Sequence, residues 1–212
     1  MSVKIEIGFT PSGASGPFFT LDDAVKGLLD SFTYILGGEV LSDVTEYVLS
    51  FQIGRGKSIE LDRFTAGGAT VSFNNETRVF DPTYEDSPFY GQIKPKRRLK
   101  ISVDDIVQFD GTIDDWDIQY QLGGYSVAVA KAVDATQVLT NVTLNDFFPD
   151  EELTGARVDA VLDAISWSAD KRDIDNGSTT VVGDLVADNT NSFQYLQQVA
   201  QSEPGDLFVS KD

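Results

Sequence analysis

Carboxylates are the most abundant reactive groups in this chain, 34 of its 212 residues, and they gather in runs. The runs are Asp104-Asp105, Asp114-Asp115-Trp116-Asp117, Asp150-Glu151-Glu152 and the trio Asp170, Asp173 and Asp175. Two carboxyl groups flanking a sugar bond are the machinery of glycoside hydrolysis, and clustered hard oxygens hold Ca²⁺. Asp173-Ile174-Asp175-Asn176-Gly177 only grazes a calcium loop, because its glycine arrives one place early and no glutamate closes it. Runs of acid are otherwise a solvated surface. There is no histidine and no cysteine. Serine–histidine triads, imidazole bases, thiolate nucleophiles and His- or Cys-ligated metals are therefore excluded. The residues assign no catalytic group, no metal ligand set and no cofactor.

Two other stretches invite a chemical reading. Gly54-Arg55-Gly56-Lys57-Ser58 has the look of a phosphate loop, but the glycine required five places before the second one is replaced by Phe51. No parallel strand–helix–strand context follows it, so the expectation is a strand running into a glycine-rich turn. Lys94, Lys96, Arg97, Arg98 and Lys100 place five of the 16 positive charges within seven residues. Nucleic-acid binding wants aromatics among such charges and a basic surround. Here the surround carries −18, so an acidic neighbouring subunit is the better functional partner. A strand flank of alternately solvated charges is the equally good bland reading. Three Asn-X-Ser/Thr matches, at Asn75, Asn141 and Asn176, lack a secretory signal at Met1-Ser2-Val3-Lys4 and are read as chance.

The elements that must position these residues divide at about residue 141. Before it, apolar residues alternate as strands do: Tyr47, Leu49, Phe51 and Ile53; Ala69, Val71 and Phe73; Leu99, Ile101 and Val103. Tyr125, Val127, Val129 and Val133 alternate with Ser126, Ala128, Ala130 and Ala132, and the small face implies close packing against a layer or subunit. Phe109, Gly111 and Ile113 share one parity and Trp116, Ile118 and Tyr120 the other, so a β-bulge is expected at Asp114-Asp115. After residue 141 the period becomes helical at Val158, Val161, Leu162 and Ile165, with Thr154 as N-cap. A second helix carries Phe193, Leu196, Val199 and Ala200, opened by the polar cluster 189–192 and stopped by Glu203-Pro204-Gly205. Short strands are expected at 178–182 and 206–210, and a short helix or a turn at 21–30. The predicted fold is mainly β: a barrel or sandwich over 1–141, then a small α+β domain over 142–212 that continues beyond the chain.

Composition agrees with a folded chain, at 41% hydrophobic and 11% aromatic residues. No run approaches a membrane span. A field of −18 repels nucleic acid and anionic lipid.

One composite pattern is more specific than any of its pieces. It runs from Arg55-Gly56-Lys57-Ser58 through Glu60-Leu61-Asp62-Arg63-Phe64 and Ala66-Gly67-Gly68-Ala69-Thr70-Val71 to Arg78-Val79-Phe80-Asp81-Pro82. Ile93-Lys94-Pro95, the basic strand and Phe109-Asp110-Gly111-Thr112-Ile113-Asp114-Asp115-Trp116 follow. This resembles the minor tail proteins of siphophages, which look like the baseplate hub, or tail-associated, family of tailed phages. Lys57 and Lys96 stand where that pattern has Arg and Gly. The resemblance extends through Thr154-Gly155-Ala156-Arg157-Val158 and Arg172-Asp173-Ile174-Asp175-Asn176-Gly177. It implies a tail-tube-like β domain and a non-enzymatic homotrimer around the DNA channel at the tip of a long non-contractile tail. The implied partners are the distal tail, tail tube and tape-measure proteins and host-recognition tail-tip proteins, with DNA only as passing cargo. Assembly would take place in the host cytoplasm. The rival expectation is a host-surface saccharide-binding module, for which Trp116 and Trp167 are the available tryptophans.

Overall fold

Alternation becomes a single antiparallel sheet in the computed structural model, which describes residues 1–9, 40–56, 65–122, 126–183 and 185–208. Its strands are β1 (Val3–Phe9), β2 (Val40–Asp43), β3 (Val48–Gly56), β4 (Thr65–Asn74), β5 (Arg98–Val103), β6 (Ile106–Gln119) and β7 (Val127–Val133). They lie in the order β2-β1-β5-β6-β7-β4-β3, and among the described residues this ladder does not close into a barrel. The chain is mainly β with a smaller α+β part, as its periodicities require.

One face of the sheet is the core. Ile5, Ile7, Leu99, Ile101, Ile113, Val71 and Phe73 are fully buried there, each contributing roughly 1.5–3 kcal/mol by leaving water. The alanines of β7 point inward with them, Ala128 and Ala130 both at 0% exposure, so the small face is the buried one. The opposite face is charged and self-compensating: Lys4 pairs with Glu6 at 2.7 Å, Arg98 Nε donates to Asp110 at 2.8 Å, and Lys131 lies 3.7 Å from Asp115.

The bulge falls where parity demanded it. Ile113 stands opposite Ala132 and Asp115 opposite Lys131, leaving Asp114 as the extra residue. Trp116 and Ile118 are thereby returned to the core side. The β5–β6 hairpin turns on Asp104-Asp105, both left-handed with φ 48° and 62°. These are the backbone angles of a two-residue type I′ turn, which aspartate tolerates better than most residues. The acidic pair is thus a turn, and Asp104 Oδ1 accepts the backbone N–H of Ser2 at 2.7 Å.

Packing divides the described residues into those within 1–53 and 68–133, and those within 54–67 and 134–208. The second unit holds α1 (Thr136–Asn141), β8 (Thr143–Leu144), β9 (Glu152–Leu153), α2 (Thr154–Ala164), β10 (Thr180–Val181), β11 (Thr190–Asn191) and α3 (Ser192–Gln201). Residues 134–141 therefore sit with the helical part, where Leu139 joins Leu144, Val158, Val161, Leu162, Leu196 and Val199 in a second core. Asn191 caps α3, its side chain accepting from Gln194 N at 3.0 Å. Thr154 does not cap α2: it is the first helical residue, and its hydroxyl donates to Glu203 at 2.7 Å. Asp206–Phe208 form no strand, and the 21–30 segment lies outside the described residues.

Candidate functional site

The Asn74-Asn75 turn ends β4 and opens a long connection to β5 whose apolar residues fold back onto the core. Asn75 is fully buried and accepts the backbone N–H of Phe80 at 2.9 Å, and Arg78 N donates to Asn75 O at 3.0 Å. The resulting tight loop puts Arg78 in the left-handed region at φ 59°. Phe80 is driven inward as a hub of rings: Phe73 at 4.5 Å, Tyr47 edge-on at 5.6 Å, Phe89 at 5.8 Å and Trp116 at 5.9 Å between centroids. Phe89 in turn stacks on Phe9 at 4.4 Å. Trp116 fixes its indole by donating Nε1–H to the Lys94 carbonyl at 3.2 Å.

Next to these rings Asp81 is 1% exposed. Arg78 reaches it twice, Nε at 2.9 Å and Nη2 at 2.7 Å, and Thr83 gives it a backbone and a hydroxyl hydrogen bond. The guanidinium also lies 4.6 Å over the Tyr84 ring. Burial pushes the Asp81 carboxyl up, but hydrogen bonds from Thr83, Arg78 and Tyr120 outweigh it and hold it down to about 2. A carboxylate so encumbered neither gives nor takes a proton near neutral pH. The cluster is a clamp that sets the loop.

Of the residues singled out in the sequence, Arg78, Phe80, Asp81 and Trp116 are thus brought together, with Pro82 exposed beside them. Arg55 lies in the last residues of β3. Glu60, Leu61, Asp62, Arg63 and Phe64 lie outside the described residues. The basic run meets acids of its own chain: Lys96 pairs with Asp114 at 3.0 Å, and Lys100 stands in register between Glu6 and Asp110. Arg97 Nη2 donates to Gln92 Oε1 at 2.6 Å, and Lys94 is exposed. Among the described residues no group of three or more acids converges as a metal site would require.

Two polar nodes escaped the sequence reading. Arg157, 1% exposed in α2, pairs with Glu152 at 2.7 Å, donates to Tyr195 Oη at 2.8 Å and to Asp150 O at 2.7 Å. It floors an open cavity of about 380 Å³ whose wall includes Val181, Val182, Leu185 and Tyr195. The available signal was a charge one position from Val158 on the apolar stripe of α2. Glu203 accepts Ser178 N at 2.8 Å, Thr179 N at 3.1 Å and the Ser178 and Thr154 hydroxyls. The backbone of Ser178, with Thr154 and Thr179, holds its carboxyl down to about 2. Its partners lie far off in sequence, so no local pattern announces it.

No family model and no curated protein matches the chain. Solved structures do. The fold is similar to that of the tail protein from Neisseria meningitidis MC58, with TM-score 0.54 at 9% identity. That match covers 95% of this chain and 46% of the other. It is also similar to the 43 kDa tail protein of prophage MuSo2 from Shewanella oneidensis, with TM-score 0.53 at 12% identity over 95% of this chain and 48% of that one. The chain spans about half the length of these tail proteins. What is shared at such identities is the fold. Among the described residues no helix is long and apolar enough to cross a membrane.

Proposed function

We propose that this chain is a structural protein of a phage tail, the hub at the tip of a long non-contractile tail. In this reading three copies form a ring around the DNA channel and join the tail tube and distal tail ring to host-recognition proteins. The chain performs no turnover, binds no cofactor and meets DNA only as cargo. It is built into the virion in the host cytoplasm.

The observation that carries the reading is the likeness to two tail proteins over 95% of the chain, sheet and helical part together. Chemistry agrees. Among the described residues, the two carboxylates most displaced in titration, Asp81 and Glu203, are occupied by structural hydrogen bonds. A charge of −18 suits a conduit that DNA must traverse without sticking. The saccharide reading finds less support, because each tryptophan is half-buried against a core and bound through its indole to a carbonyl.

Electron microscopy of the purified protein and of intact tails, with no symmetry imposed, tests the proposal. The expected result is a threefold ring on the tail axis at the tip. A monomer absent from the axis overturns it.

A further inference from the structure

We propose that Asn176 is a site of spontaneous backbone modification, through ring closure onto Gly177, and that its conversion unlatches the loop held by Glu203. This goes beyond the tail reading and stands independently of it. Asn176-Gly177 is the sole Asn-Gly pair in the sequence. Asn176 is exposed, and among the described residues neither its side-chain amide nor the Gly177 N–H has a hydrogen-bond partner. Electrophile and nucleophile are both unengaged. Glycine also lacks the Cβ that shields the backbone nitrogen after every other asparagine.

The chemistry needs only water. Gly177 N attacks Asn176 Cγ, the Cγ–Nδ2 bond breaks, and ammonia leaves with the proton that Gly177 gives up. Water then opens the five-membered imide at either carbonyl, yielding aspartate or isoaspartate at 176. No electrons change hands.

The backbone around this peptide is closely packed against α2. Asn176 O accepts the backbone N–H of Gly155 at 3.1 Å, at the start of α2. A Cβ on Gly155 would overlap Asp175 O, so the loop backbone lies directly on the helix. Gly177 has φ +72°, and a Cβ there would overlap Thr154 Oγ1. Next along, Ser178 and Thr179 are bound to Glu203. Isoaspartate adds a methylene to the backbone at the point of closest approach, and either product adds a negative charge beside Asp173 and Asp175. These contacts must then open.

The full chain is aged in mildly alkaline buffer, mapped by peptide mass spectrometry and probed with an isoaspartate-specific methyl transfer. Conversion at Asn176 ahead of the other asparagines, abolished in Asn176→Gln, is the expected result. The isoaspartyl fraction, separated by ion exchange, is expected to unfold at a lower temperature than unmodified protein. An Asn176 that stays intact in the folded chain while converting in the denatured chain overturns the site. An isoaspartyl fraction with an unchanged midpoint overturns the unlatching.

Discussion

Asp81 shows how a single residue can be legible by type and illegible by state. Arg78, three positions before it, is a residue of the type to pair with it, and the two are paired. The sequence carried no sign that Tyr120 would join in, since it lies just past the end of β6, 39 positions away. The consequence is a pH dependence of definite sign. The folded-state value, about 2, lies below the ordinary 3.8. Its stabilisation is therefore complete above pH 3.8 and is lost as pH falls toward 2. The shift corresponds to about 2 kcal/mol. Glu203 is depressed in the same window, so the comparison of wild type with Asp81→Asn isolates the Asp81 share. Chemical denaturation across that range should show the two curves converging as acid is added. Parallel curves would mean that the clamp contributes nothing.

At the scale of elements, the most legible feature was the parity change in β6. A strand has period two, so a slip in the apolar pattern has few physical explanations besides an extra residue. Capping was half legible: Asn191 satisfies its own helix locally, whereas the Thr154 hydroxyl is drawn off by Glu203, 49 positions along. The inward alanines of β7 were read correctly as a close-packed face, though alternation alone does not say what they pack against. Gly111 is another case where packing decides. A Cβ there would overlap the Val133 carbonyl and the Phe109 ring, which lies across the glycine. Gly111→Ala should therefore destabilise the protein by about 1–3 kcal/mol, despite the better strand propensity of alanine. Equilibrium denaturation checks this, and an unchanged midpoint would show that the Val133 backbone and the Phe109 ring both shift clear at no cost.

For the whole molecule, 34 acids against 16 bases leave a self-repulsion that no single contact reveals. Added salt screens it, and also weakens the charged outer face of the sheet. Exposed pairs such as Lys131 with Asp115 are each worth less than about 1 kcal/mol, so repulsion should dominate. Moving from low salt to about 0.15 M should raise the thermal midpoint, by about 2–4 °C for each ~1 kcal/mol relieved. A falling midpoint would mean that the outer-face pairs matter more than their exposure suggests. The change of period is legible at about residue 141, whereas packing groups residues from 134 onward with the helical part, because α1 carries too few apolar residues to show a stripe. A last consequence concerns inheritance. Trp116 stands directly opposite Ala130, a wide residue against a narrow one, with Phe73 and Phe80 closing the space around the indole. Neither position can grow or shrink alone without leaving a hole or a clash. In any lineage that keeps this sheet, the two should drift as a couple, each preserving the memory of the other's size.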